Sequence, residues 1–234
     1  MATTTLRAEI LDGIANVTVA VPPLQLLSGE LIEDLHRFLD RLDAHEGLRV
    51  VVFRSDDPDF FLMHADVQRL VDIGPHPYSA PSEPNGAIAV FDRLRRQPFA
   101  TIGVLDGIAR GGGCELLCAM DMRIGSTRAR VGQPEVPLGI LPGAGGTVHW
   151  ARTVGRARAL EILLTGRDIG AEEALTLGWL QAVVPPEQLD DHVDRLARRI
   201  ARMPAASIAA VKEVVDVALG PLDDAFLAES QALA

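Results

Sequence analysis

The chain is poor in cysteine: it has two, Cys114 and Cys118, both in one helix-like run. With no second pair to complete a ligand set, their spacing gives little for a metal, and two small buried side chains is the reading that fits. No stretch approaches the roughly 20 apolar residues of a membrane helix. The opening MATTTLRAEI lacks the basic and apolar segments of a signal peptide. The expectation is a cytoplasmic protein with no disulfides and no membrane partner. Positive charge is scarce too. A net charge of −10 argues against non-specific nucleic-acid binding. It leaves room for an anionic small ligand held by local arginines or a helix N-terminus. No G-x-x-x-x-G-K-[ST] loop, G-x-S-x-G elbow or H-E-x-x-H helix occurs, and no G-x-G-x-x-G stands at a first βα corner. Nucleotide-loop, serine-hydrolase and catalytic-zinc readings have no support.

What is present suits one large domain, or a domain with a small appendage, of 234 residues with 48% hydrophobic composition. Two apolar runs joined by Asp12-Gly13 read as a β-hairpin. After Pro22-Pro23, Ser28 reads as an N-cap, and Leu31, Leu35, Phe38, Leu39 and Leu42 make one helical stripe. Leu48 to Phe53 is a strand of the kind buried on both faces. Phe60 to Met63 is extended and leads through His64, Ala65 and Asp66 into a helical pattern. Prolines 75, 77, 81 and 84 mark a surface loop, and a helix over 87–96 ends before Pro98. Its Arg93, Arg95 and Arg96 read as a solvated face or as a phosphate contact. Helical patterns then cover 147–153, 156–164 and 171–177, a strand covers 180–184, and from Glu187 the pattern is helical, broken at Pro204 and Gly220-Pro221.

The segment from Thr101 to Gly146 organises the rest. An apolar strand breaks at Asp106-Gly107, and Gly111, Gly112 and Gly113 precede a helix expected to begin at Cys114. Glycines there let a ligand approach the backbone, and the first amides of a helix lack internal acceptors. Such a place stabilises negative charge on an oxygen. Glu115 lies among Cys114, Leu116, Leu117 and Cys118, and Glu135 between Pro134 and Val136-Pro137-Leu138. Apolar surroundings raise a carboxyl's pKa toward neutrality, where it can transfer protons. Either acid alone reads equally as a cap or a solvated side chain; the pair, flanked by glycine loops, points to chemistry.

The runs GIARGGGCELLCAMDMRIGS and ARVGQPEVPLGILPGAGGT resemble the signature of the crotonase superfamily, specifically its enoyl-CoA hydratase branch. The similarity extends to FFLMHAD and LTGRDIGAEEALTLGWLQAVVP, hence to nearly the whole chain. The resemblance implies an α/β fold, a crotonase-like spiral of ββα units followed by a C-terminal α-helical region. It divides the chain into 1–185, carrying the acyl-CoA site, and 186–234, used in subunit packing and shorter than in most relatives. It implies a homotrimer or dimer of trimers. By position, Ala65 and Gly112 match the two oxyanion-hole amides, and Glu115 and Glu135 the two catalytic glutamates. Gly143 matches the loop glycine that helps place the water. Met63, His64, Asp66, Val67, Gly111 and Pro134 are implied to line the substrate. Coenzyme A enters as part of the substrate, with no separate cofactor. His64 departs from the usual glycine, either packing at the mouth or contacting substrate, and Gln68 stands where a basic residue often holds the nucleotide end.

The activity implied is addition of water to a trans-2-enoyl-CoA thioester, with Glu115 deprotonating the water and Glu135 protonating C2. A Δ3,Δ2-enoyl-CoA isomerase is the nearest alternative. A non-catalytic acyl-CoA binder or scaffold is the alternative from another class.

Overall fold

A computed structural model describes residues 2–65 and 83–233. The expected hairpin forms from β1 (Leu6–Leu11) and β2 (Ile14–Val19), with Leu11 paired to Ile14. Only Asp12 and Gly13 connect them, both with positive φ. That backbone twist matches the right-handed twist of the strands it joins.

The chain then repeats one move. β3 (Val50–Ser55), β5 (Ala100–Leu105) and β7 (Met122–Ser126) join β2 in parallel, and β10 (Ala182–Val184) completes a six-stranded sheet ordered β1-β2-β3-β5-β7-β10. After each of β3, β5 and β7 a short connection crosses to a second sheet. There β4 (Phe60–Leu62), β6 (Ile108–Arg110) and β8 (Arg130–Gly132) line up in parallel, closed by antiparallel β9 (Asp168–Gly170). Each strand pair thus gives one strand to each sheet before the chain turns back. This is the spiral of ββα units that the resemblance implies.

Helices fill the returns. α1 (Gly29–Asp43) starts at Ser28, whose hydroxyl accepts from the Leu31 amide at 3.1 Å, and buries the expected stripe. α2 (Gly86–Arg95) is capped by Asn85, which accepts from the amides of Ala87 and Ile88. α3 (Gly112–Cys118) is buried along its length and begins at Gly112 rather than Cys114, because the glycines themselves form its first turn. α4 (Gly146–Val154), α5 (Arg156–Thr165) and α6 (Ala171–Thr176) follow. Trp150 of α4 stacks on Trp179 with ring centroids 5.7 Å apart.

The tail consists of α7 (Pro186–Ala201), α8 (Ala205–Leu219) and α9 (Asp223–Leu233). α7 lays Leu189, Val193 and Ala197 on Val50, Val52, Ile102 and Ile124 of the large sheet. Phe226 of α9 and Leu222 just before it pack against Ile88 of α2. Among the described residues no helix is long and apolar enough to cross a membrane.

Candidate active site

The site forms where β4 and β6 end and α3 begins. Gly111 takes φ +50° and ψ −123° at this corner, a conformation that side chains rarely adopt. Space forbids one as well: a Cβ on Gly111 would lie 2.8 Å from Glu135 Oε1 and 3.0 Å from the Cβ of His64. The glycine therefore lets the His64 segment and Glu135 close on the same point.

Two neighbouring amides anchor this corner. Gly111 N–H donates to Gly132 O at 3.0 Å, and Gly113 N–H to Met63 O at 3.1 Å. Between them the amide of Gly112 has no acceptor among the described residues, and neither has that of Ala65. Ala65 is held by a parallel bridge to Leu27, whose amide bonds the preceding carbonyl, His64 O, at 3.1 Å. His64 is half-buried, with Nδ1 2.7 Å from the Ala65 carbonyl. A carbonyl only accepts, so Nδ1 carries the proton and, in the neutral ring, Nε2 is an acceptor.

Glu115, in the first turn of α3, is buried, and its Oε1 accepts from the amides of Ala144 at 2.7 Å and Gly146 at 2.9 Å. Burial raises its pKa to about 7, with those two bonds pulling the other way. Glu135 precedes a short 3-10 turn, Val136–Leu138, and is buried as well. Its pKa is pushed up to about 8 by burial, then by repulsion from Glu115 and from a third acid, Glu229. Gln133 is fully buried beside it. With its amide nitrogen turned to Glu135 it donates to both carboxyl oxygens, at 3.0 and 3.1 Å.

Of the residues singled out from the sequence, Met63, His64, Ala65, Gly111, Gly112 and Glu135 gather at this corner. Glu115 is tied to it through α3. Gly143 sits at the head of the loop that Glu115 grips, and its carbonyl accepts from Asn85 Nδ2 at 2.6 Å. Pro134 is half-buried next to Glu135. Asp66, Val67, Gln68 and most of the proline-rich segment, through residue 82, lie outside the described residues. The arginines of α2 are engaged by acids: Arg93 with Asp40 and Asp43, Arg95 with Asp92 and Asp216, Arg96 with Asp92 and Asp223. Arg93 and Arg95 are thereby partly buried, so the run is not simply the solvated face that was one of its two readings. A cavity of about 620 Å³ lies beside these arginines, lined also by Cys118, Arg123 and Arg152, and neither catalytic candidate borders it.

Glu229 of α9 went unmarked in the sequence reading. It is buried and accepts from the amides of Gly145 at 2.6 Å and Thr147 at 2.9 Å, and from the Thr147 hydroxyl. Its one sequence signal is position: Leu222, Phe226 and Glu229 stand at i, i+4 and i+7, so a carboxylate occupies the apolar stripe of its helix.

Residues 9–232 match the family model described as enoyl-CoA hydratase/isomerase. Among solved structures, a candidate enoyl-CoA hydratase from Streptomyces avermitilis is 37% identical with a TM-score of 0.89, over 99% of this chain and 85% of that one. Subunit I of an enoyl-CoA hydratase from Geobacillus kaustophilus is 32% identical with a TM-score of 0.85, over 97% of this chain and 88% of its own. An enoyl-CoA hydratase from Bacillus anthracis is 27% identical with a TM-score of 0.83, over 97% and 90%.

Proposed function

This chain belongs to the enoyl-CoA hydratase/isomerase family, and from that premise we propose that it hydrates trans-2-enoyl-CoA thioesters to 3-hydroxyacyl-CoA. One observation carries the reading: two buried carboxyls, both pushed up toward neutrality, lie at the corner where the amides of Ala65 and Gly112 have no acceptor among the described residues.

Addition of water to a conjugated thioester moves electrons from the C2–C3 double bond onto the thioester oxygen. The amides of Ala65 and Gly112 receive that oxygen and stabilise its growing negative charge more than the ground-state carbonyl. A single donor of this kind contributes about 2.7–4 kcal/mol to lowering the barrier. Glu115, whose carboxylate is held by the amides of Ala144 and Gly146, takes a proton from the water as the water oxygen bonds C3. Glu135, beside two other acids that disfavour its anion, gives its proton to C2 as the enolate collapses. Protons and electrons balance, and both acids exchange roles for the reverse elimination. Coenzyme A is part of the substrate, and the scheme needs no further cofactor. Met63, His64, Gly111 and Pro134 would line the acyl and thioester path, and Gly143 would help place the water. The assembly we propose is a trimer or a dimer of trimers, supported by the apolar residues that α8 leaves exposed.

Crotonyl-CoA and longer trans-2-enoyl thioesters, followed by loss of the conjugated absorbance, test the reading. Turnover is expected, and Glu115→Gln or Glu135→Gln should each lower kcat by about 10²–10⁴-fold. Conversion of 3-enoyl to 2-enoyl thioesters without hydration would make the protein an isomerase. Tight thioester binding with no turnover would make it a binder.

A further inference from the structure

We propose that Glu229, on the terminal helix α9, is a positioning residue for the catalytic carboxyl pair, acting through the loop 144–147 that it shares with Glu115. The two acids grip alternate amides of this loop. Glu115 takes Ala144 and Gly146; Glu229 takes Gly145 and Thr147, with the Thr147 hydroxyl in addition. Gly145 takes φ +96° where α4 begins, and the four amides of this helix start alternate between the two carboxyls, so each carboxyl holds the segment in place for the other. A Cβ on Gly146 would lie 2.8 Å from Glu115 Oε1, so no slack separates the loop from the catalytic acid.

The clamp is also tied at its outer ends. Asn85, the cap of α2, donates through Nδ2 to Gly143 O, and its own amide donates to the Ser230 hydroxyl at 3.3 Å. Phe226, one turn before Glu229, lies against His149 of α4 with ring centroids 5.5 Å apart. Among the described residues of the terminal helix, Glu229 is the side chain bonded to the amides that alternate with those of Glu115, and it is an acid where an apolar side chain would fill the space.

An acid there does more than brace. Burial raises Glu229 to about 8, with repulsion from Glu115 next, and Glu229 in turn helps to raise Glu135. Burial and mutual repulsion thus raise all three carboxyls toward neutrality, and removing one of them changes the titration of the others. Among the described residues His149 also faces α9, and burial holds it neutral with a pKa of about 3. Arg95 and Arg96 are neutralised by Asp92, Asp216 and Asp223, and Arg152 donates to the carbonyls of Leu219 and Gly220.

The inference rests on the hydratase reading for its consequence, but not for its test. Glu229→Gln keeps the shape and removes the third acid. In protein labelled with ¹³C at glutamate carboxyls, assigned with the Glu115→Gln and Glu135→Gln variants, the Glu135 midpoint should fall by about half a unit to one unit. Unchanged midpoints for both Glu115 and Glu135 would overturn the proposal whatever the activity. In the thioester assay the basic limb of kcat should move to lower pH by a similar amount. Glu229→Ala should lose about 10- to 100-fold in kcat with KM within threefold. A brace of the fold alone would lower the melting temperature and leave the pH limb and the kcat of the folded fraction where they were, and that result also sinks it. If neither variant folds, Thr147→Ala removes one bond of the clamp and leaves every acid in place. It should lower kcat by about 3- to 10-fold at unchanged KM, and an unaltered kcat would count against the clamp. A parent protein inactive on every enoyl thioester would remove the hydratase reading and leave the titration to decide on Glu229.

Discussion

Glu135 is more comfortable as an acid than as an anion, and its neighbourhood explains why. Glu115 accepts two main-chain amide bonds that partly replace water, whereas Glu135, though it accepts from the side chain of Gln133, is buried beside two like-charged neighbours. A base must be ionised and an acid protonated, so kcat/KM should rise as pH passes about 7 and fall as it passes about 8. The two limbs belong to the coupled set, and replacing either acid should erase the bell, not shift it. The same shift bears on stability. A carboxyl whose folded pKa lies above its unfolded value binds more protons when folded, so its contribution is fullest below the unfolded pKa and is lost as pH rises through about 8. Glu135→Gln, neutral at every pH, should therefore be slower in turnover yet more stable than the parent at pH 8 by on the order of 1–2 kcal/mol. Urea unfolding at pH 5 and pH 8 checks the sign, since the advantage should shrink at the lower pH.

The elements show which parts of this arrangement local sequence can reveal. Ser28 and the stripe of α1 were readable because cap and periodicity are local properties, and so was the buried run of β3. Glu115 and Glu135 were readable for the same reason: glycine and proline flank them within a few residues. Strands β6, β8 and β9 were not: each has three residues without the apolar run that marks β4 and β10 at the same length, and exists by pairing with distant partners. Glu229 was hidden by distance as well, 84 residues from the Gly145 amide it accepts from. The close approach of α3 to β4 belongs to this long-range class and can be tested. A Cβ on Gly113 would stand 1.8 Å from Leu62 O, a backbone atom that cannot swing aside. Gly113→Ala should cost about 3 kcal/mol in urea unfolding and draw the Gly112 amide away from Ala65. Gly86→Ala, where a Cβ meets nothing within 4 Å, is the control and should be neutral or stabilising by up to about 1 kcal/mol.

At the scale of the molecule, α8 is unlike the other long helices, for it buries none of its own residues. Lys212 fastens it, donating to Phe99 O at 2.8 Å and Asp121 at 2.7 Å, while Val211, Val214, Val215, Val217 and Leu219 stay 51–75% exposed. A monomer gains nothing from holding five such side chains in water, whereas burial is worth about 25 cal/mol per Å² of apolar surface. Against that attraction stands a net charge of −10 on each copy, so subunits brought together repel one another. The two effects respond oppositely to solvent. Salt screens the repulsion and leaves apolar burial intact, so the proposed trimer should tighten as ionic strength rises from about 0.01 to 0.15 M, where the screening length falls from about 30 to 8 Å. Val214→Asp sets a charge within the apolar face and should leave a protein of single-chain mass in light scattering at micromolar concentration. A parent mass of one chain at every salt concentration would overturn the proposed trimer and detach assembly from the chemistry of the cleft.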